Sequence, residues 1–155
     1  MEQHWREKLD AQDLPGAVSA YYAANGNPYD LFQLTGNPGL PIDVMFHIAA
    51  HRDWAEASGL LTNYSVPTEV LEFLADRFPD ADADINHHPN ASLARKMRLI
   101  ARDATGSSLH SFFAATKADE AVQAKFHALL DESTAGATIA QIWHKIRPEG
   151  SAPGV

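Results

Sequence analysis

Asn63-Tyr64-Ser65-Val66-Pro67-Thr68-Glu69-Val70-Leu71-Glu72-Phe73-Leu74-Ala75 decides the fold, because it has a counterpart 26 positions earlier. That counterpart begins Asn37-Pro38-Gly39-Leu40-Pro41-Ile42-Asp43-Val44-Met45, and one more step of the same size reaches Pro15. At this single offset Pro15, Pro41 and Pro67 fall into register, as do Val18, Val44 and Val70. Tyr22, Ile48, Leu74 and Ile100 align as well, followed by Ala23, Ala49, Ala75 and Ala101. Self-similarity at a fixed period marks a stacked repeat, in which each unit buries its apolar face against its neighbours.

The prolines mark where helices begin, since the first helical turn has no use for the missing N–H and the ring already holds a helical φ. Apolar residues then recur at helical spacing: Val44, Met45, His47 and Ile48; Val70, Leu71, Phe73 and Leu74; Met97, Leu99 and Ile100. In the unit after Ala75 the helix start reads Asn90-Ala91-Ser92-Leu93, with Asn90 or Ser92 as the cap in place of proline. Turn-rich stretches at Thr35 to Gly39 and Thr62 to Ser65 follow short apolar runs, Leu31 to Leu34 and Leu60 to Leu61, whose length suits one or two turns of 3₁₀ helix. A fourth unit is read at Leu109 to Glu132, where Ala128, Leu129 and Leu130 echo Leu99, Ile100 and Ala101 at a longer spacing of 29.

The expectation is an all-α solenoid of about four repeats, each a short 3₁₀-like helix and a longer α-helix, in a single domain over residues 1–147. An N-terminal cap, 1–14, would place Trp5 and Leu9 of a helix from Gln3 to Gln12 over one end of repeats 15–132. A C-terminal cap, 133–147, would cover the other end with Ile139, Ile142 and Trp143 on a helix from Thr138 to Ile146. Residues 148–155, rich in Pro, Gly and Ser, read as a disordered tail.

Composition narrows the function classes. With 45% apolar residues the 155-residue chain has the material for a continuous core, and a formal charge of −8 repels nucleic acid and anionic lipid wherever no local patch reverses it. The absence of cysteine excludes disulfides, thiolate metal sites and a cysteine nucleophile, and it fits a reducing cytoplasm. Met1 to Leu9 lacks the apolar run of a signal peptide, and no window reaches the roughly 18 apolar residues of a membrane span, so the reading is cytoplasmic.

The stretches 37–45 and 63–75 resemble the variant leucine-rich repeat (LRV) family, whose pattern runs Asn-Pro, a short turn, one or two prolines, an acidic residue, two aliphatics and a Leu-Ala pair. His88-Pro89-Asn90-Ala91-Ser92 followed by Met97 to Ala101 is a weaker match, with no proline at the helix start and one residue of slip. The resemblance covers roughly residues 15 to 132. It implies a right-handed superhelix of alternating α and 3₁₀ helices without β-sheet, and no particular activity. The cysteine-ligated iron–sulfur module carried by some relatives has no ligands here.

Asp43, His47 and His51, four residues apart, form the sharpest metal-like pattern, a two-histidine, one-carboxylate set for Zn²⁺ or metal-dependent hydrolysis. Register opposes it: His47 aligns with Tyr21, Phe73 and Leu99, read as a core position, and His51 with Asn25, Arg77 and Asp103, read as a helix end. His87 and His88 precede Pro89 in a turn, where adjacent side chains diverge. His110, Ser107, Ser108 and Ser111 offer hydroxyls and an imidazole, but nothing orients a nucleophile.

Arg95, Arg98 and Arg102 share one helical face and are the candidates for nucleic-acid binding. One repeat earlier the equivalent residues are Glu69, Glu72 and Asp76, so the competing expectation is a ladder of ion pairs between neighbouring helices, each worth about 0–1 kcal/mol. The same register continues back through Asp43, Phe46 and Ala50 to Ala17, Ala20 and Ala24. Phe46 is the anomaly on that face, destined either for cover by the N-terminal helix or for a partner or self-association surface. The functional expectation is a non-enzymatic scaffold for protein–protein interaction without a cofactor. The metal and nucleic-acid readings are its alternatives.

Overall fold

A computed structural model describes residues 3–104 and 106–147, so the tail read at 148–155 lies outside the described residues. Among those described, every extended element is helical, and the sole β feature is an isolated bridge between Ile100 and Thr138. Among the described residues no helix is long and apolar enough to cross a membrane. The chain divides into two compact units, Met1–Ile85 and Asn86–Val155.

The first unit carries the period. Helices α1 (Gly16–Asn25), α3 (Ile42–His51) and α5 (Thr68–Arg77) are each ten residues long and start 26 residues apart, and α3 packs on both α1 and α5. Pro15, Pro41 and Pro67 stand one residue before the helix, at the N-cap, with ψ of 140°, 147° and 165°. Their carbonyls accept the first helical hydrogen bonds, as Val18 and Ser19 donate to Pro15, Val44 and Met45 to Pro41, and Val70 and Leu71 to Pro67. Burial falls on the same four positions each time: Val18, Ser19, Tyr22 and Ala23; Val44, Met45, Ile48 and Ala49; Val70, Leu71, Leu74 and Ala75.

Between these helices run α2 (Pro28–Thr35) and α4 (Trp54–Ala57), the latter continuing into a 3₁₀ segment, Ser58–Thr62. The first connector is a full eight-residue α-helix, in place of the 3₁₀ turn expected there. The reason is a start signal upstream of Leu31: Asn27 accepts from the Asp30 N–H, Asp30 accepts from the Asn27 N–H, and Pro28 occupies the first turn. Gly59 lies so close to α2 that a β-carbon there would stand 2.1 Å from the Thr35 hydroxyl, which makes glycine a condition of that approach.

Two sets of side-chain hydrogen bonds join successive repeats. Asn63 donates to the carbonyls of Thr35 and Asn37 while its own oxygen accepts from the Ser65 N–H. Asn37 does the same one repeat earlier, to Leu9 and Ala11 with Gly39 as donor. Arg52 donates to Ala23 and Gly26, and Arg77 to Ala49 and Arg52, so each guanidinium satisfies carbonyls at the end of the preceding long helix. The N-terminal segment, a 3₁₀ helix from Gln3 to Lys8 where an α-helix to Gln12 is expected, therefore presents the carbonyls of a repeat without its asparagine. Leu9 is fully buried there, and Arg6 Nε lies 3.1 Å from the buried Asp30 carboxylate.

After α5 come a 3₁₀ turn, Pro79–Ala81, and the short helix α6 (Asp82–Asn86), and the second unit begins with an altered copy of the motif. His88 accepts from the Asn90 N–H through Nδ1, and the Ala91 N–H donates to the His88 carbonyl, the pair of bonds that Asn63 forms with Ser65 and Val66. Helix α7 (Leu93–Met97) then starts at Ser92, which caps the Arg95 N–H. From Asn63 to His88, and from Thr68 to Leu93, the offset is 25 rather than 26. Here the 26-residue alignment of Met97, Leu99 and Ile100 fails. The helix expected through Ala101 stops at Met97 because Ala101 donates to Ala137 and Leu99 accepts from Ile139, bonds incompatible with continuing the helical ladder.

Beyond it, α8 (Gly106–Thr116), α9 (Glu120–Glu132) and α10 (Ile139–Ile146) surround an aromatic core of Phe112, Phe113, Phe126 and Trp143. The fourth repeat expected at Leu109 to Glu132 is instead the α8–α9 pair, turned at Lys117 with φ 56°. The C-terminal helix matches its expected place, with Thr138 and Gln141 forming a capping box and Ile139, Ile142 and Trp143 buried.

Candidate interaction surfaces

The outward face of α3 holds the metal-like residues. His47 and His51 are ring neighbours, 4.5 Å between centroids, but no group of three or more histidines and carboxylates among the described residues is placed to hold a metal ion. Asp43 does not complete a triad. The sequence argument about His47 also needs correction: its register is not core, since Tyr21 and Phe73 are 42% and 38% exposed and His47 itself is only half-buried. Burial, then the adjacent His51 and Arg52, hold the His47 imidazole below its ordinary pKa.

Phe46 is covered in part, by a neighbour other than the one expected. Its ring meets Phe73 edge-to-face at 5.7 Å, so the next long helix shields it in part. Glu69 and Asp76 are exposed on α5, and Glu72 is half-buried.

The basic face does not form as a face. Arg95 and Lys96 are only 8% and 4% exposed; Arg95 donates to the Asn86 side chain and Lys96 to the Ala91 carbonyl. Burial lowers the Lys96 pKa from its usual value. The one-residue slip explains both, because an offset of 25 puts Arg95 and Lys96 on the positions of buried Val70 and Leu71, whereas an offset of 26 aligns Arg95 with exposed Glu69. Arg98 is exposed, while Arg102 bonds the carbonyls of Leu130 and Ser133 at the end of α9. Three arginines that share a face on an ideal helix serve three different surroundings.

The surface that sequence reading missed is on the connector side of the first unit. Tyr29 and Phe32, 68% and 72% exposed, are three apart on α2, while Leu31 and Leu34 supply the buried stripe. Phe32 and Pro28 rim a concavity of about 490 Å³ whose other wall is Asp53, Glu56, Ser58 and Gly59. A second concavity of about 470 Å³ is lined by Trp54, Arg77, Phe78, Asp80 and Asp84. There the Trp54 and Phe78 rings lie 5.2 Å apart, and the Arg77 guanidinium sits 4.6 Å above Phe78. The available signal was the aromatic pair in Pro28-Tyr29-Asp30-Leu31-Phe32, which a helix started at Pro28 turns away from Leu31.

No family model, curated protein or solved structure matches this chain.

Proposed function

We propose that the chain is a non-enzymatic helical-repeat scaffold of the variant leucine-rich type, whose first unit holds a segment of another protein. The observation that carries this reading is the pair Tyr29 and Phe32, two large aromatics left open to water beside a formed concavity. Isolated exposed apolar residues are ordinary, but two aromatics on one helical face next to a groove match the anchors that dominate protein interfaces. The repeat supports the reading in a second way. Hydrogen-bonded asparagines and capping arginines hold the connectors in place, so the groove costs little further ordering when a partner arrives.

Affinity capture from the cell of origin, run with the native chain and with Tyr29→Ser/Phe32→Ser, tests the proposal. A partner retained by the native chain should be lost from the variant by about tenfold or more, the effect of removing interface anchors. Equal recovery from both, or a chain that captures nothing, rejects it.

A further inference from the structure

We infer that the groove takes a basic, extended partner segment in which arginine or lysine and aliphatic or aromatic residues share the face turned toward it. This rests on the scaffold reading and gives its partner a chemistry. Asp53 lines the first concavity and Trp54, the next residue in the chain, lines the second, so consecutive residues at the start of α4 serve both. Each combines a ring with carboxylates: Phe32 with Asp53 and Glu56, and Trp54 and Phe78 with Asp80 and Asp84.

The charge of this strip is negative and largely uncompensated. Glu56 is bound to Arg52 at 3.2 Å, but among the described residues Asp53, Asp80 and Asp84 form no ion pair. Asp53 spends one oxygen on capping the Glu56 N–H, which leaves the other to accept. Among the described residues the one cation lining the strip, Arg77, already donates to Ala49 and Arg52 and lies over Phe78. A guanidinium or ammonium from a partner would meet ring faces and carboxylates together, while its aliphatic stem covers apolar wall. An apolar side chain two positions along, on the same face of an extended backbone, would meet Phe32 and Pro28. A second copy of this chain, with a formal charge of −8, is electrostatically the wrong occupant.

The test uses the full chain and a fluorescein-labelled peptide that repeats Arg-Ser-Leu-Ser, which sets arginine and leucine on one face of an extended backbone, followed by anisotropy. Binding is expected with a Kd of roughly 1–100 μM, falling several-fold between about 0.05 and about 0.5 M salt. A glutamate–leucine peptide should not bind. Asp80→Asn/Asp84→Asn and Phe32→Ser should each weaken binding about fivefold or more, whereas Glu120→Gln/Glu132→Gln, the same loss of charge on exposed α9 positions, should leave it within about twofold. Hydrogen exchange on the native chain should show peptide-dependent protection within residues 28–35, 53–62 and 78–84, a readout independent of how the variants fold.

Equal weakening by the α9 variant would reduce the effect to bulk charge and overturn the inference, as would protection elsewhere or no binding. If a captured partner depends on Phe32 but contacts it through an acidic or uncharged segment, the inference falls and the scaffold reading stands. If capture never depends on Tyr29 and Phe32, both fall.

Discussion

The two units solve the same problem by different means. In the first, three ten-residue helices bury the same four positions each, and polar side chains stitch one repeat to the next through backbone carbonyls. In the second, one shortened copy of the motif gives way to longer helices around clustered aromatic rings, with Phe112 against Trp143 at 5.1 Å and Phe113 against Phe126 at 5.3 Å. The difference teaches where periodicity comes from. A repeat persists where its backbone hydrogen-bonding pattern can be copied, and it ends where the chain uses those backbone groups otherwise, as Leu99 and Ala101 do with Ile139 and Ala137.

The comparison breaks most visibly in the aromatic core. Phe112→Ala should cost about 3–5 kcal/mol, with loss of amide protection concentrated in residues 86–147; uniform loss along the chain, measured by hydrogen exchange, would show that the units unfold as one. In the first unit the equivalent blow is Asn63→Ala, which strips two buried carbonyls of a donor and the Ser65 N–H of an acceptor. The expected cost is about 2–4 kcal/mol by denaturant unfolding, and a cost under about 0.5 kcal/mol would refute the hydrogen-bonded stitching.

His88 sharpens the boundary between the two regions. If it stands in for the asparagine, His88→Asn should stay within about 1 kcal/mol of the native chain while His88→Ala loses about 1–3 kcal/mol; equal losses would mean that the imidazole matters for its bulk. Arg77→Met removes both the cap on α3 and the guanidinium over Phe78, for an expected loss of about 1 kcal/mol and earliest fraying at residues 49–52.

The smallest effect is pH-dependent. The His47 pKa is lower folded than unfolded, so on acidification the unfolded chain takes up its proton first. The His47 contribution is therefore intact above the ordinary pKa of about 6.5 and declines as pH falls below it. Tm measured against pH should fall less steeply for His47→Gln than for the native chain. Identical slopes would dissociate His47 from acid sensitivity.

Much of the first unit was legible because its signals are local. A proline before each long helix, and valine, aliphatic and alanine residues at fixed distances after it, follow from backbone sterics and helical period, and the helices start where those residues place them. The candidate sites were less legible. Arg95 reads as a surface cation only while the 26-residue offset holds, and a single residue of slip turns a helix by about 100°. Phe32 lies in an apolar run, Leu31 to Leu34, whose length alone does not say which residues a helix beginning at Pro28 buries.

What the sequence determined by itself was the helical class, the period and its three proline-led starts, since each depends on chemistry within a few residues. Only the tertiary structure decided where the period stops, which arginines cap helices and which are buried, that Phe46 leans on Phe73, and that Tyr29 and Phe32 face water. Those outcomes depend on which carbonyls and rings distant segments bring together, and no local pattern encodes that distance.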